Sequence, residues 1–270
     1  MLIFLAVVAF VLFILWCLGF RLGLRSVVND FKIGNCSVSG MKGSGKDVLF
    51  SNVVARRHLP YICNVDYHCK GSEFIPLDLK QFDTKNSFKD FINNTLKYYN
   101  YPYKDKIDIY ISDAGIYFPA QYCSTLDREF GYLPQFMADS RHLGDCAVHY
   151  NSQNLNRVWD KIREQSDIYY LCKGCKFFGK LVFERVFIYE KYQSCIDRVK
   201  PFKPLKAPIF ANSEARALIR THNDQSKNKY ENDYGFVKKR TFIFFNRSKF
   251  DSRFIKSMLL QGKKENENNK

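Results

Sequence analysis

An α/β fold, with a mostly parallel sheet and helices on both faces, is the fold class that this sequence predicts. Between residues 36 and 172, β-prone and helical segments alternate along the chain, and a glycine-rich loop joins the first strand to the first helix. Alternation of this kind builds parallel sheets with ligand sites at the carboxyl ends of the strands. An apolar N-terminal run further predicts one transmembrane helix ahead of the sheet.

The N-terminal run, Leu2 to Phe20, contains nineteen residues and no charge. At ~1.5 Å per residue, a helix of this length crosses most of a bilayer's hydrocarbon core. Arg21 and Arg25 follow the run, and positive charge at that position places the rest of the chain in the cytoplasm. We predict a single-pass transmembrane helix over residues 1–24 and a juxtamembrane linker over residues 25–33, at a cell's inner (cytoplasmic) membrane.

The alternating elements follow in order along the chain. Strands are expected near 36–39, 60–66, 107–112, 145–150 and 167–172, with helices near 46–57, 86–99, 124–141 and 155–164. Residues 177–192 predict two further short strands, which either extend the sheet or form a hairpin on its edge. These elements define a domain over residues 34–200.

A basic C-terminal extension, residues 201–270, follows this domain. It begins with a proline-punctuated linker and contains a possible short helix near 211–219 and a β-like run at 241–245, before a tail with the composition of a disordered segment. The formal net charge of the chain is +15, and residues 173–270 hold 23 Lys/Arg against 10 Asp/Glu. Such a surplus predicts attraction to nucleic acid or to an anionic membrane surface.

Nine cysteines, an odd number without the spacing of a disulfide framework, favour a reducing compartment. Cys172 and Cys175 form a single CxxC. Since no second CxxC or paired histidine accompanies them, ordinary thiols are favoured over a zinc site or a redox pair.

The segment Gly40 to Asp47 has the spacing G-x-x-x-x-G-K of a phosphate-binding loop. Its glycines allow backbone N–H groups to point at a phosphate, and the following helix adds its positive end. The residues predicted to bind nucleotide are Gly40, Lys42, Gly43, Ser44, Gly45, Lys46 and Asp47. Lys46 would bridge the β- and γ-phosphates of ATP, and Asp47 stands where a Ser or Thr normally binds Mg²⁺. A carboxylate can also bind Mg²⁺. The alternative interpretation of the whole segment is an ordinary Gly/Ser/Lys surface loop.

Asp113 closes the apolar strand Ile107–Ile111 and is predicted to be the second Mg²⁺ ligand. Asp108, at the start of the strand, is too far from the phosphates. Many NTPases place a glutamate directly after this aspartate to polarise the attacking water, and this chain has Ala114. Slow hydrolysis, or binding without turnover, therefore stays open, with Asp127, Glu129 or Asp47 as possible substitutes.

Three more residues are candidates for catalysis. Gln153, beyond the end of the next strand, is predicted to sense the γ-phosphate, and Arg141 or Arg163 would act as an arginine finger, in cis or from a neighbouring subunit. A structural ion pair is the alternative for either arginine. His149, inside an apolar strand, is better explained as a core histidine.

Three segments, GMKGSGKD, ISDAGIYFP and SRHLGDCAVHYNSQNLNRVWDKIR, together resemble the Zot (zonula occludens toxin-like) family of filamentous-phage assembly ATPases. The resemblance covers roughly residues 34 to 190 and implies a RecA/FtsK-HerA-like P-loop NTPase fold. It implies ATP and Mg²⁺ as cofactors, and single-stranded DNA, phage coat or assembly proteins and a homo-oligomeric ring as partners. Asp47, Ala114 and the N-terminal position of the membrane helix depart from the family pattern.

The function expected from the resemblance is a membrane-anchored ATPase that powers virion assembly and single-stranded DNA export. A conjugation-type DNA translocase and a nucleotide-binding membrane scaffold without efficient hydrolysis are the alternatives. A nucleoside monophosphate kinase is disfavoured, because the phage kinases that share a GKD tripeptide follow it with Thr, whereas Val48 follows here.

Overall fold

The computed structural model describes residues 2–67, 69, 71–98, 108–140, 147–177 and 180–243. For residues 2–6, 15–23, 81, 95–98, 176–177, 180–183 and 242–243 it describes the backbone alone.

A single eight-stranded sheet organises the chain, with helices packed on both faces. The helices are α1 (Leu2–Ile33), α2 (Lys46–Arg57), α3 (Lys85–Tyr98), α4 (Ala114–Tyr117), α5 (Cys123–Glu129), α6 (Tyr132–Asp139), α7 (Asp160–Arg163), α8 (Tyr192–Ile196) and α9 (Ser213–Tyr234). The strands are β1 (Cys36–Ser39), β2 (Tyr61–Cys63), β3 (Phe74–Pro76), β4 (Asp108–Ile111), β5 (Ala147–Ser152), β6 (Ile168–Phe177), β7 (Lys180–Tyr189) and β8 (Val237–Ile243).

The strand order is β3-β2-β4-β5-β1-β6-β7-β8. The pairs from β3 to β6 are parallel, while β6, β7 and β8 pair antiparallel. The predicted mostly parallel α/β sheet is therefore confirmed, and residues 177–192 belong to a long hairpin. Strand β5 lies between β1 and β4 and is parallel to both. The carboxyl ends of these three strands therefore lie at one edge of the sheet, where the glycine-rich loop begins.

Two apolar clusters cover the two faces of the sheet. On one face, α1 and α2 pack through Val27, Phe31, Leu49 and Phe50, which are fully buried. On the other face, Trp159 and its neighbours from α5 to α8 fill the second cluster. The central strands β1, β4 and β5 are buried along their whole length, as is usual for parallel strands covered on both faces.

Several elements differ from the sequence-based prediction. The predicted helix 124–141 is two helices, because Pro134 lacks a backbone N–H and fits only the first turn of α6. The predicted helix 155–164 is a 3₁₀ turn followed by the short α7. Strand β3 was not predicted, and β8 begins at residue 237 rather than 241.

Helix α9 is far longer than the short helix predicted near 211–219. The Asn212 side chain accepts a hydrogen bond from the Ala215 N–H and so caps its first turn. No described residue of α9 is buried. The polar stretch after Ile219 gives no helical signal in the sequence, because a solvated helix lacks the apolar stripe that marks a packed one.

Helix α1 continues from the apolar N-terminal run to Ile33, so the segment predicted as a juxtamembrane linker is its last turns. Val27 and Phe31 of that segment are fully buried against the sheet. Among the residues that the structure describes, no helix has an apolar stretch long enough to cross a bilayer. Much of the Leu2–Phe20 run lies outside the described side chains, and its role as a membrane anchor stays a prediction.

A buried ion pair between Arg57 and Asp108 joins α2 to β4, with side chains only 4% and 5% exposed. Arg57 also donates to the Phe31 carbonyl, 3.2 Å away, and thereby ties α1 to the pair. His149 is fully buried beside them and accepts a hydrogen bond from the Cys36 N–H at its Nδ1, 3.2 Å away. Burial lowers its pKa, so His149 is a neutral core histidine.

Replacing Asp108 with Asn should lower the free energy of unfolding by about 3–5 kcal/mol, because it leaves the Arg57 guanidinium buried without its counter-charge. Urea unfolding of the full-length protein measures the change. The double variant Asp108→Leu with Arg57→Met removes both charges and should lose less than the single variant. A loss below about 1 kcal/mol in Asp108→Asn would show that the pair does not hold α2 in place.

Candidate functional site

A buried lysine lies at the centre of the edge where β1, β4 and β5 end. The Lys46 side chain is only 7% exposed, and its Nζ lies 2.7 Å from Asp113 Oδ1 and 3.3 Å from Asp47 Oδ2. Asn151 Oδ1 is a third partner, 3.3 Å away. A buried ammonium is tolerated only with such partners, and here they come from α2, β5 and the turn after β4.

Asn151, which the sequence did not single out, connects the members of this cluster. Its Oδ1 also accepts from the Asp113 N–H at 2.9 Å, and its Nδ2 donates to Asp47 Oδ1 at 3.0 Å. The same amide donates to the Tyr67 hydroxyl at 3.4 Å. Alternation along β5 puts Asn151 on the same face as His149, and this periodicity was the available signal for the residue.

Asp113 adopts a left-handed backbone conformation, with φ 52° and ψ 46°, and precedes α4. A non-glycine residue in this region carries backbone strain, which proteins keep mainly at functional sites. Hydrogen bonds from two side chains stabilise this conformation. Asn151 accepts from the Asp113 N–H, and the Asn64 side chain forms two hydrogen bonds with the Ser112 backbone, at 2.7 and 3.1 Å.

The glycine-rich loop has the geometry of a phosphate cradle. Gly43 and Gly45 have φ values of 75° and 100°, which other residues rarely adopt. A Cβ at Gly40 would lie 2.3 Å from Ser44 Oγ and 2.8 Å from the Cys172 carbonyl oxygen, so only glycine fits there. The loop leads into α2, whose first N–H groups and positive helix end favour an anion.

The pair Asp47 and Asp113 fits a divalent cation, since both carboxylates reach the same ammonium group of Lys46. Among the described residues there is no group of three or more His, Cys, Asp or Glu side chains that could hold a metal ion. Phosphate oxygens and water would therefore have to supply the remaining Mg²⁺ ligands, as is usual for nucleotide-bound Mg²⁺.

Glu184 is a second residue that the sequence did not indicate. It lies on β7, is 0% exposed, and neither carboxylate oxygen has a hydrogen-bond partner. A Cβ built on Gly45 would lie 2.9 Å from its Cδ, so the carboxyl group packs directly against the loop. The pKa of Glu184 is raised to about 8, chiefly by burial; the neighbouring Cys172 thiol opposes the shift, and the charge of Asp47 adds to it.

The remaining candidates for catalysis are Gln153, Arg163 and Arg141. Gln153 follows the end of β5 and is exposed, as is Lys42. Arg163 is the last residue of α7, which precedes the start of β6 at the opposite edge of the sheet. Its guanidinium lies 4.3 Å from the centroid of the Tyr192 ring. Arg141 lies outside the described residues. The sensor role of Gln153 and the finger role of either arginine remain predictions.

Position 114, where many NTPases have a glutamate, lies in the core of the domain. Ala114 is fully buried in the apolar cluster, so a longer acidic side chain there would enter the core. Asp127, one suggested substitute, forms an exposed ion pair with Lys161, with Nζ 2.5 Å from Oδ1. Cys172 and Cys175 are free thiols on β6, and their odd spacing directs them to opposite faces of the strand.

Comparison with known proteins finds relatives among solved structures alone: no protein-family model matches the chain, and no curated protein matches it. The N-terminal domain of zonular occludens toxin from Neisseria meningitidis is similar at 12% identity and a TM-score of 0.40, over 59% of this chain and 84% of that one. The genome packaging NTPase B204 from Sulfolobus turreted icosahedral virus 2 is similar at 14% identity and a TM-score of 0.37, over 59% and 93%.

The pCW3 conjugation coupling protein TcpA is similar at 14% identity and a TM-score of 0.34, over 52% of this chain and 49% of that one. Zonular occludens toxin, whose family the motifs resemble, is among these similar structures.

Replacing Asn151 with Leu should cost about 1–3 kcal/mol of unfolding free energy, because the Asp113 N–H and the Lys46 ammonium lose a buried acceptor. Thermal and urea unfolding of the full-length protein measure this loss. Gln153→Leu is the matched control and should change stability by less than about 0.5 kcal/mol, since Gln153 is exposed. Equal losses in the two variants would contradict the bridging role of Asn151.

Proposed function

We propose that this protein is a membrane-anchored P-loop NTPase that binds ATP with Mg²⁺ and drives single-stranded DNA export during assembly of a filamentous phage. The observation that carries the proposal is the cluster of Lys46, Asp113 and Asn151 above a glycine loop of phosphate-binding geometry. A bare surface loop would not require a buried lysine held by residues from distant parts of the chain.

Nucleotide binding would exchange the partners of Lys46. The ammonium group, held by Asp113 and Asp47, would move to the β- and γ-phosphate oxygens, which carry stronger negative charge. The two carboxylates released in this way would hold Mg²⁺, which neutralises charge on the phosphates. Asn151 would keep the Asp113 backbone in its left-handed conformation throughout, since it binds the N–H rather than the carboxylate.

The second candidate function is a nucleotide-binding membrane scaffold that does not hydrolyse ATP efficiently. Ala114 favours it, because the position after the Mg²⁺-binding aspartate is buried in the core and carries no base. For the ATPase, Gln153 and an arginine from a neighbouring subunit would have to orient water and neutralise the γ-phosphate. A conjugation-type translocase would use the same site on a different DNA substrate.

A basic surface suited to DNA lies beyond the loop on the strands β6, β7 and β8. Lys173 and Arg185 are directly opposite each other, and Lys239 lies on the same face; we call these three residues the basic strand face. All three are exposed, and Lys173 Nζ is 5.1 Å from the Phe187 ring centroid. Exposed basic side chains on one face of a sheet would attract the phosphates of a DNA strand.

Membrane attachment and ring formation complete the proposal. The uncharged run Leu2–Phe20 would anchor the chain in the host's inner membrane, with the NTPase domain on the cytoplasmic side. A homo-oligomeric ring would let Arg141 or Arg163 reach a neighbour's nucleotide, and phage coat or assembly proteins would be its partners.

Lys46→Ala should abolish ATP binding, because it removes the cation that faces the phosphates. The measurement is ATP affinity and phosphate release by the full-length protein in detergent, with and without single-stranded DNA. Lys80→Ala, which removes an exposed lysine outside the loop, is the control and should bind ATP within a few-fold of the unchanged protein.

The outcomes separate the candidate functions. DNA-stimulated phosphate release that is lost in Lys46→Ala supports the motor, whereas ATP binding without release supports the scaffold. Phosphate transfer to added nucleoside monophosphates would refute both. Equal ATP affinity in Lys46→Ala and the unchanged protein would show that the loop is not a nucleotide site.

Removing the basic strand face by Lys173→Ala, Arg185→Ala and Lys239→Ala together should weaken single-stranded DNA binding at least tenfold at low salt. It should also reduce the slope of log affinity against log salt by about 2, since each lost phosphate contact contributes about 0.7. ATP affinity should not change. The control removes the same charge from exposed lysines elsewhere, at positions 203, 206 and 229. Equal losses in both triple variants would assign DNA binding to net charge rather than to this face.

A further inference from the structure

The carboxyl group of Glu184 lies beside the nucleotide site, and the proposed mechanism has no use for it. It is fully buried, its two oxygens lack hydrogen-bond partners, and it fills the space where Gly45 would carry a side chain. Buried polar groups without partners are rare in folded proteins, and those that persist are commonly tied to function. Gly45 and the N–H groups that follow it are the part of the loop that would hold a phosphate.

Glu184 lies on β7, between β6 and β8, with the phosphate-binding loop packed against its carboxyl group. Cys172 on β6 and Asp47 on α2 influence its ionisation, and Lys46 lies within the same group of interacting charges. On β8, the residue opposite Glu184 is Phe242, and Arg240 lies opposite the next residue on the same face, Val186. The Lys46 ammonium is directed away, towards Asp113 at 2.7 Å. Glu184 therefore has no cation bound to its carboxyl oxygens among the described residues.

We propose that Glu184 is a positioning residue of the nucleotide site, which supports the phosphate-binding loop at Gly45 in its neutral form, so that nucleotide binding takes up a proton at this side chain. The inference rests on the proposed nucleotide function. A bound phosphate would lie on the other side of Gly45 from the carboxyl group. Two negative charges separated by a single residue repel strongly inside a protein, so phosphate should select the protonated acid.

The free protein already favours that state at neutral pH, since burial raises the pKa of Glu184 to about 8. Coupling between two sites is reciprocal: if phosphate favours the proton, the proton must favour phosphate by the same factor. Nucleotide affinity should therefore be highest below pH 8 and fall above it.

The test measures ADP affinity by titration calorimetry between pH 7 and pH 9, with Mg²⁺, on the full-length protein and on Glu184→Gln and Glu184→Met. The terminal phosphate of ADP titrates below this range, at about pH 6. The unchanged protein should lose roughly tenfold or more in affinity across the range. Both variants stay neutral and should change less than about threefold, and repetition in buffers of different ionisation heat should show proton uptake near pH 8 in the unchanged protein alone.

A purely structural role predicts a different result, in which the variants lose affinity or stability equally at every pH. Identical pH profiles for the unchanged protein and both variants would overturn the inference while leaving nucleotide binding intact. Absence of ADP binding at every pH would overturn the proposed nucleotide function, and the inference with it. Melting temperatures supply a readout without nucleotide: the unchanged protein should lose stability relative to Glu184→Gln as pH rises from 5 towards 9, and parallel curves would refute the titration.

Discussion

Burial of the Lys46 ammonium is the constraint on which the rest of the site depends. A charge this deeply buried is stable only if groups with fixed positions neutralise it, and these groups come from α2, β5 and the turn after β4. Their meeting point requires β5 to lie between β1 and β4, which the parallel order of the sheet provides. The strained backbone of Asp113 and the hydrogen bonds of Asn151 follow from the same requirement.

The sheet also explains why α1 belongs to the domain rather than merely leading to it. Its last turns bury Val27 and Phe31 against the face that carries α2, and the Phe31 carbonyl accepts from Arg57 of the buried ion pair. Asp108 and His149 connect this contact to the beginnings of β4 and β5. Packed contacts thus run from α1 to α2, and α2 begins at the lysine of the phosphate-binding loop.

Local patterns predicted the parts of this structure that local chemistry determines. The loop at Gly40–Asp47, α2 and β4 could be located from glycine spacing, helical periodicity and an apolar run. The roles of Asn151 and Glu184 could not be predicted from local patterns, because they arise from contacts with Lys46 and Gly45, which lie more than a hundred residues away along the chain. Strand periodicity places Glu184 between Phe183 and Arg185 as an ordinary alternating residue. Only the pairing of β7 beside β6 brings its carboxyl group under Gly45.

The distribution of charge around Lys46 limits what the site can do without further cations. Asp47, Asp113 and Glu184 together carry more potential negative charge than one lysine can neutralise, and a nucleotide would add more. In the proposed function, Mg²⁺ held by the two aspartates and a proton on Glu184 would remove the excess in complementary ways. Each of the three acids would then be occupied, and none would be left to accept a proton from water. Because Ala114 faces the core, a base for hydrolysis would have to come from outside this cluster, and a neighbouring subunit of the proposed ring is one source.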